Sequence, residues 1–264
     1  MTPPIPKPAA TVILVRDGAV GVEVFLMERS AHGQFGGLHV FPGGKVDPAD
    51  GGERALRLCR GPRPVEANSA LNLAHGGLAY WVAAIRECFE EAGLLLACDE
   101  PGRLVELRDP ALRRRLARDR ERLNAGSKGA LEALCEREGW RLATDRLAYV
   151  ARWITPVGTP ARYDTRFFVA LAPEHQEALH DGRETVECQW VRPEEALRRH
   201  RAGHMPMISP TLKNLEELRG YRSASELVAE KAARDPRTIP TILPRMLGRA
   251  DRLADLDERL VIVG

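Results

Sequence analysis

The sequence predicts a mixed α/β fold, and three observations carry that expectation. Two β-branched apolar runs flank an Asp-Gly pair near the start, a helical apolar period occupies residues 79 to 92, and no internal repeat recurs. The runs are Thr11 to Val15 and Val20 to Met27, separated by Asp17-Gly18, a pair that suits the tight turn of a hairpin. The proline-rich stretch from Thr2 to Pro8 reads as a loose lead-in. From Gly33 to Gly44, glycines and Pro42 interrupt any period, so this stretch reads as a loop with room for one short strand. Between Ala79 and Ala92 the residues Ile85, Cys88, Phe89 and Ala92 fall at i, i+3, i+4 and i+7, one face of a helix that Gly93 ends.

Later elements follow from local signals. Asp109-Pro110 is an N-cap followed by proline at the first helical position, opening a helix with Leu112, Leu116, Leu123 and the basic run Arg113 to Arg115. A second helix, Gly129 to Glu138, carries Leu131, Leu134 and Cys135. Trp153 to Pro160 reads as a loop, and Arg162 to Ala170 as a strand in which Phe167 and Val169 alternate toward one face with Leu171 beyond. Trp190-Val191 reads as a strand, Pro193 opens a helix running to about His200, and Ser209-Pro210 and Ser223 begin two C-terminal helices.

Composition limits the function. The 264 residues are 44% hydrophobic, enough for one elaborated domain. The 39 basic residues nearly balance 37 acidic ones, so no global field calls for nucleic acid or an anionic membrane as partner. Five widely spaced cysteines without a CxxC pair suit reduced thiols rather than a disulfide framework or a zinc site. The apolar run in MTPPIPKPAATVILVRDG is too short for a signal peptide or a membrane span, and a soluble cytoplasmic protein is expected.

The helix of residues 79–92 raises an electrostatic question. Glu87, Glu90 and Glu91 also stand at i, i+3 and i+4, so three carboxylates share a face beside the apolar stripe and repel one another. Arg86 reaches Glu90 at i+4, but one guanidinium does not neutralise three carboxylates. A hard divalent cation would, since Mg²⁺ is held by a few carboxylates together with substrate phosphates. By periodicity alone, a solvated acidic face is the favoured reading, since such faces are common.

The sequence context separates these readings. Upstream stands FPGGKVDPAD, and with IRECFEEAGLL it resembles the Nudix box, G-x5-E-x7-R-E-U-x-E-E-x-G-U, where U is a bulky aliphatic residue. Arg86 to Leu94 match the second half, with Cys88 a smaller residue at U; Gly44 matches the first glycine, and Asp50 stands where the family has glutamate. Between Asp50 and Arg86 lie 35 residues where the pattern has seven, and this interruption is expected to loop out. An interrupted box is similar to the branch related to peroxisomal coenzyme A diphosphatases, as are MERSAHGQFGGLHVFPGGKVDPAD and ARYDTRFFVA.

The resemblance implies an α/β/α sandwich with a mixed sheet, helical insertions and C-terminal helices. The Nudix domain would span 9–200, with inserts at 51–78 and 108–140, and a helical extension would occupy 201–264. It implies a pyrophosphohydrolase dependent on Mg²⁺ or Mn²⁺, with Glu87, Glu90, Glu91 and the Gly44 carbonyl as metal ligands and Arg86 orienting the cluster. Gly43 would let the loop approach substrate closely, and Arg29 and Arg166 would bind substrate phosphate. The general base would be a box glutamate or an acid on a later loop, Glu184 ahead of Glu187. His39 and His75 read as structural or exposed. Coenzyme A or an acyl derivative leads as substrate; ADP-ribose, a nucleotide sugar or a dinucleotide is the alternative, and a non-catalytic metabolite-binding regulator is a reading of another class. The expected partner is thus a small nucleotide, with neither nucleic acid nor membrane involved. The helices of 108–140 are open to a role as lid or as oligomer contact, including a homodimer.

Overall fold

The computed structural model describes residues 3–31, 36–178, 185–244 and the backbone of 261–263. In chain order its elements are β1 (Lys7–Gly18), β2 (Gly21–Arg29), β3 (His39–Val40), β4 (Gly43–Lys45), α1 (Glu53–Leu58), α2 (Pro64–Leu71), α3 (Leu78–Ala92), β5 (Ala97–Cys98), α4 (Pro110–Asn124), α5 (Ala130–Glu138), β6 (Arg141–Leu142), β7 (Ala148–Ile154), β8 (Tyr163–Leu171), β9 (Thr185–Val191), α6 (Pro193–Arg201), α7 (Ser209–Glu217), α8 (Ala224–Ala232), β10 (Thr241–Leu243) and β11 (Val261–Val263). Among the described residues no helix is long and apolar enough to cross a membrane, and all five cysteines are free thiols.

The nine-stranded mixed sheet runs β11-β10-β7-β8-β1-β2-β3, with β4 also on β1 and β9 also on β2. β1 is parallel to β8 and β10 to β7; the other pairs are antiparallel. The apolar run TVILV sits at the centre because both of its faces are covered. Val12 and Leu14 face α3, whereas Ile13 and Val15 face the layer of α6, α7 and α8. Helices thus cover both faces of the sheet, which is the expected α/β/α sandwich.

β1 changes partner along its length, and this positions the site. Its C-terminal end pairs with β2, from Val15↔Val24 to Gly18↔Gly21, while its N-terminal half pairs with β4 from Ala9↔Lys45 to Thr11↔Gly43. The segment 39–45 bridges the resulting fork, with β3 on β2 and β4 on β1.

Several expectations need correction. The hairpin turn falls at Ala19-Val20, because Asp17 pairs with Val22 and its carboxylate accepts from the Ala224 N–H at 2.7 Å, anchoring the start of α8. Lys7 and Pro8 belong to β1; Pro8 needs no N–H there because its carbonyl serves, accepting from Val46 N–H at 3.0 Å. Trp153 and Ile154 close β7 rather than opening a loop, since β8 on one side and β10 on the other supply pairing that no local signal reveals. The interruption of the box does not loop out: α1 and α2 bury Ala55, Ala67 and Leu71 in the core beneath α3.

Candidate active site

α3 presents one apolar face and one acidic face. Ile85, Cys88, Phe89 and Ala92 are at most 1% exposed against the sheet and the insert helices. Gly93 ends the helix at φ 71°, a left-handed conformation that glycine adopts without a steric penalty, and its N–H donates to the Phe89 carbonyl at 3.0 Å.

Arg86 organises the acidic face. Its Nε donates to Asp50 Oδ1 at 2.8 Å and its Nη2 to Asp50 Oδ2 at 3.0 Å and to the Lys45 carbonyl at 2.9 Å. Its Nη1 donates to Glu87 Oε1 at 2.9 Å and Glu90 Oε2 at 2.8 Å. Asp50, 3% exposed, also accepts from the Asp47 N–H at 2.7 Å within a 3₁₀ turn, so the carboxylate one methylene shorter than glutamate is fully used. Glu91 takes a different set of partners, accepting from the Gly43 N–H at 2.8 Å with Arg29 at 3.6 Å.

Among the described residues, this linked group joins four carboxylates, of Asp50, Glu87, Glu90 and Glu91, to the guanidiniums of Arg86 and Arg29. The burial of this group is visible in Glu87. Burial, reinforced by the charges of Glu90 and Asp50 against the opposing pull of Arg86, pushes its carboxyl up to about 7. Burial lowers the proton affinity of Arg86, but hydrogen bonding to Asp50 and the charges of Glu87, Asp50 and Glu90 outweigh it and hold the guanidinium above its ordinary value.

These residues fit a divalent cation. The donors are hard carboxylate oxygens, and Gly44 leaves the space: a Cβ there would lie 2.5 Å from the Glu87 carboxylate. The three glutamates are not gathered on one point, however. Glu87 and Glu91 line a cavity of about 410 Å³ with Gly43 and Gly44, whereas Glu90 bonds Arg86 and is not among its lining residues. Among the described residues, the one group of three side chains with ligand atoms mutually within 4.8 Å is Glu106, Glu174 and His175, all exposed. Arg108 lies against both Glu106 and His175, so two of its three members already face a fixed cation.

Arg29 and Lys45 also line the cavity. Its other walls are largely apolar: Val40 and Phe41 beside the fork, Trp153 and Ile154 of β7, Phe167 of β8, and Ile208 and Pro210 at the start of α7. Arg166 does not reach it, which corrects the expectation of a phosphate contact. Side chains alternate along a strand, so Thr165 and Phe167 face the cavity and Arg166 faces α3 with no exposure. There it pairs with Asp164 at 2.6 Å and lies over the Tyr80 ring at 4.7 Å.

Glu184 lies outside the described residues. Glu187 stands on β9 opposite Glu28 and does not line the cavity. His39 is buried, and that burial lowers its pKa; His75 is exposed on the box insert. None of the described residues in the helices of 108–140 lines the cavity; α4 packs on α3 and α5 on α1. Local sequence reasoning missed Lys45, Trp153 and Ile208, which reach the cavity from separate elements. A lysine directly after the glycine pair of the box was the one available signal.

Comparison with known proteins bears on this arrangement. A model of the NUDT19 Nudix domain matches residues 62–218. The chain is 28% identical over 275 residues to acyl-coenzyme A diphosphatase NUDT19 of Homo sapiens, spanning 90% of this chain and 71% of that protein. Against the Gallus gallus protein of the same name it is 29% identical over 268 residues, spanning 88% and 70%. The crystal structure of a NUDIX hydrolase from Alicyclobacillus acidocaldarius superposes with a TM-score of 0.69 at 27% identity, covering 85% of this chain and 96% of that one.

Proposed function

The chain belongs to the NUDT19 Nudix domain family and is a Nudix hydrolase, and on that premise we propose that it cleaves the diphosphate of coenzyme A or an acyl-coenzyme A, using Mg²⁺ or Mn²⁺. The products would be 3′,5′-ADP and a 4′-phosphopantetheine. One observation carries the reading: Glu87 and Glu91, two members of a linked carboxylate group, border a cavity whose remaining walls are largely apolar. A diphosphate with its metal suits the charged side, and a pantetheine or acyl chain suits the apolar walls. The coenzyme A diphosphatase names of the relatives support the same choice.

In this reading Glu87, Glu90 and Glu91 hold the cation, with the Gly44 carbonyl as a further ligand. When bound, it neutralises phosphate oxygens and makes water a nucleophile near neutral pH. Arg86 spaces Glu87 and Glu90 by bonding both, and Asp50 fixes Arg86 in turn. Gly43 lets the loop approach the diphosphate, and its N–H keeps Glu91 on the cavity floor. Arg29 meets substrate phosphate from the cavity wall. Glu184 is our candidate for the general base.

The test is kcat/KM for coenzyme A and a long-chain acyl-coenzyme A against dephospho-coenzyme A, ADP-ribose and a diadenosine polyphosphate, with each metal. The coenzyme A substrates should lead. A tenfold or greater preference for ADP-ribose, about 1.4 kcal/mol in the barrier, overturns the substrate assignment.

A further inference from the structure

The last carbonyls of an α-helix have no partner within the helix. In α3 those carbonyls belong to the turn that carries Glu90 and Glu91. The Phe89 carbonyl is met by Gly93 N–H, but the next two are met from far along the chain. Arg120 of α4 donates from Nε to the Glu90 carbonyl at 2.9 Å and from Nη2 to the Glu91 carbonyl at 2.7 Å, and Asn124 Nδ2 stands 3.4 Å from the same Glu90 carbonyl. A fixed cation thus sits at the negative end of the helix dipole.

The surroundings hold Arg120 in place. It shares a helical face with Leu116 and Leu123, which are 2% and 7% exposed, so α4 is anchored on both sides of it. Gly93 leaves it room: a Cβ at that position would lie 3.1 Å from Arg120 Nη1. At the opposite end of α3, Asn68 of the box insert accepts from the Gly77 N–H at 2.7 Å. Each insertion therefore holds one end of the helix.

We propose that Arg120 is a positioning residue for the carboxylate cluster, and that the 108–140 insertion serves to set the turn bearing Glu90 and Glu91. Arg120 is not among the residues lining the cavity; it holds the two main-chain carbonyls from whose residues the carboxylates project. This rests on the reading above that these glutamates hold the cation.

The experiment compares Arg120→Met and Arg120→Lys with wild type, measuring Mn²⁺ affinity by electron paramagnetic resonance without substrate, then kcat and KM. Groups that orient a metal's ligands typically contribute about 10- to 100-fold to affinity or rate, and Arg120→Met should weaken Mn²⁺ binding at least about tenfold, with kcat falling in parallel. KM for coenzyme A at saturating metal should stay within about twofold, because the substrate contacts are untouched. Arg120→Lys, which keeps a cation at the helix end, should recover much of the loss.

A folded Arg120→Met with wild-type Mn²⁺ affinity overturns the proposal, as does a change confined to KM. Should that variant not fold, Arg120→Gln keeps one donor and is read by the same titration; wild-type affinity there overturns the proposal equally. If wild type binds Mn²⁺ but does not hydrolyse coenzyme A, the substrate reading fails and the titration still decides Arg120. If Glu90→Gln and Glu91→Gln leave Mn²⁺ affinity unchanged, the metal reading and this proposal fail together.

Discussion

Asp50 and Arg86, 36 positions apart, are joined by two hydrogen bonds of 2.8 and 3.0 Å, and the remaining donors of Arg86 reach two glutamates and a main-chain carbonyl. A change at Asp50 is therefore felt throughout the acidic face. Asp50→Ala leaves a mostly buried guanidinium without its bidentate partner and should cost about 3 kcal/mol of stability in urea titration. An unaltered unfolding midpoint would show that Glu87 and Glu90 suffice for Arg86.

Glu90→Gln and Glu91→Gln keep the shape of each side chain while removing charge from a repelling group. Each should reduce transition-state stabilisation by about 2 to 4 kcal/mol, the scale of losing one preorganised charged group. Stability should hold or rise. Wild-type turnover of either variant at saturating Mg²⁺ rules out its place among the metal ligands.

The carboxyl of Glu87, raised to about 7 chiefly by burial, gives a pH signature. The folded metal-free protein holds this proton more tightly than the unfolded chain does. The resulting stability is present below the ordinary glutamate range and lost as pH rises through about 7. Melting temperature without metal should therefore fall between about pH 5 and 8, by less in Glu87→Gln than in wild type. Metal binding needs the ionised carboxylate and should strengthen over the same interval. Identical melting profiles for wild type and Glu87→Gln would remove Glu87 as the source.

Arg29 and Arg166 should behave oppositely. Arg29→Ala, at the cavity wall, should lower kcat/KM for coenzyme A by about tenfold, some 1.4 kcal/mol, with little change in melting. Arg166→Ala empties a fully buried site beside Asp164 and Tyr80, so it should cost about 2 to 4 kcal/mol of stability while leaving the preference for coenzyme A over dephospho-coenzyme A intact. A changed preference in Arg166→Ala would restore it as a substrate contact.

The box insert is predicted to be indispensable to folding. Leu71, 2% exposed under α3, should cost about 2 to 5 kcal/mol on truncation to alanine. Deletion of residues 52–79, which removes α1, α2, Asn68 and the first residues of α3, should yield no cooperative transition in calorimetry. A cooperatively folding deletion with intact metal binding would mean that the insert merely covers the core.

The sequence by itself determined what depends on spacing along one helix or one turn. The period of residues 79–92, its end at Gly93, the shared face of Glu87, Glu90 and Glu91, and the N-caps at Asp109 and Ser223 are set by contacts within a few residues, so they were legible without neighbours. The family resemblance was legible for the same reason, being carried by two short motifs. Only the tertiary structure decided what depends on distant pairing. It made β7 a strand, turned Arg166 inward, put the insert helices into the core, brought Arg120 to the end of α3 and seated Trp153 and Ile208 in the cavity that Glu87 and Glu91 line. The physical reason is that a strand's partners, and the side it buries, are chosen by sheet neighbours far away in the chain, whereas a helix and its caps close their hydrogen bonds locally.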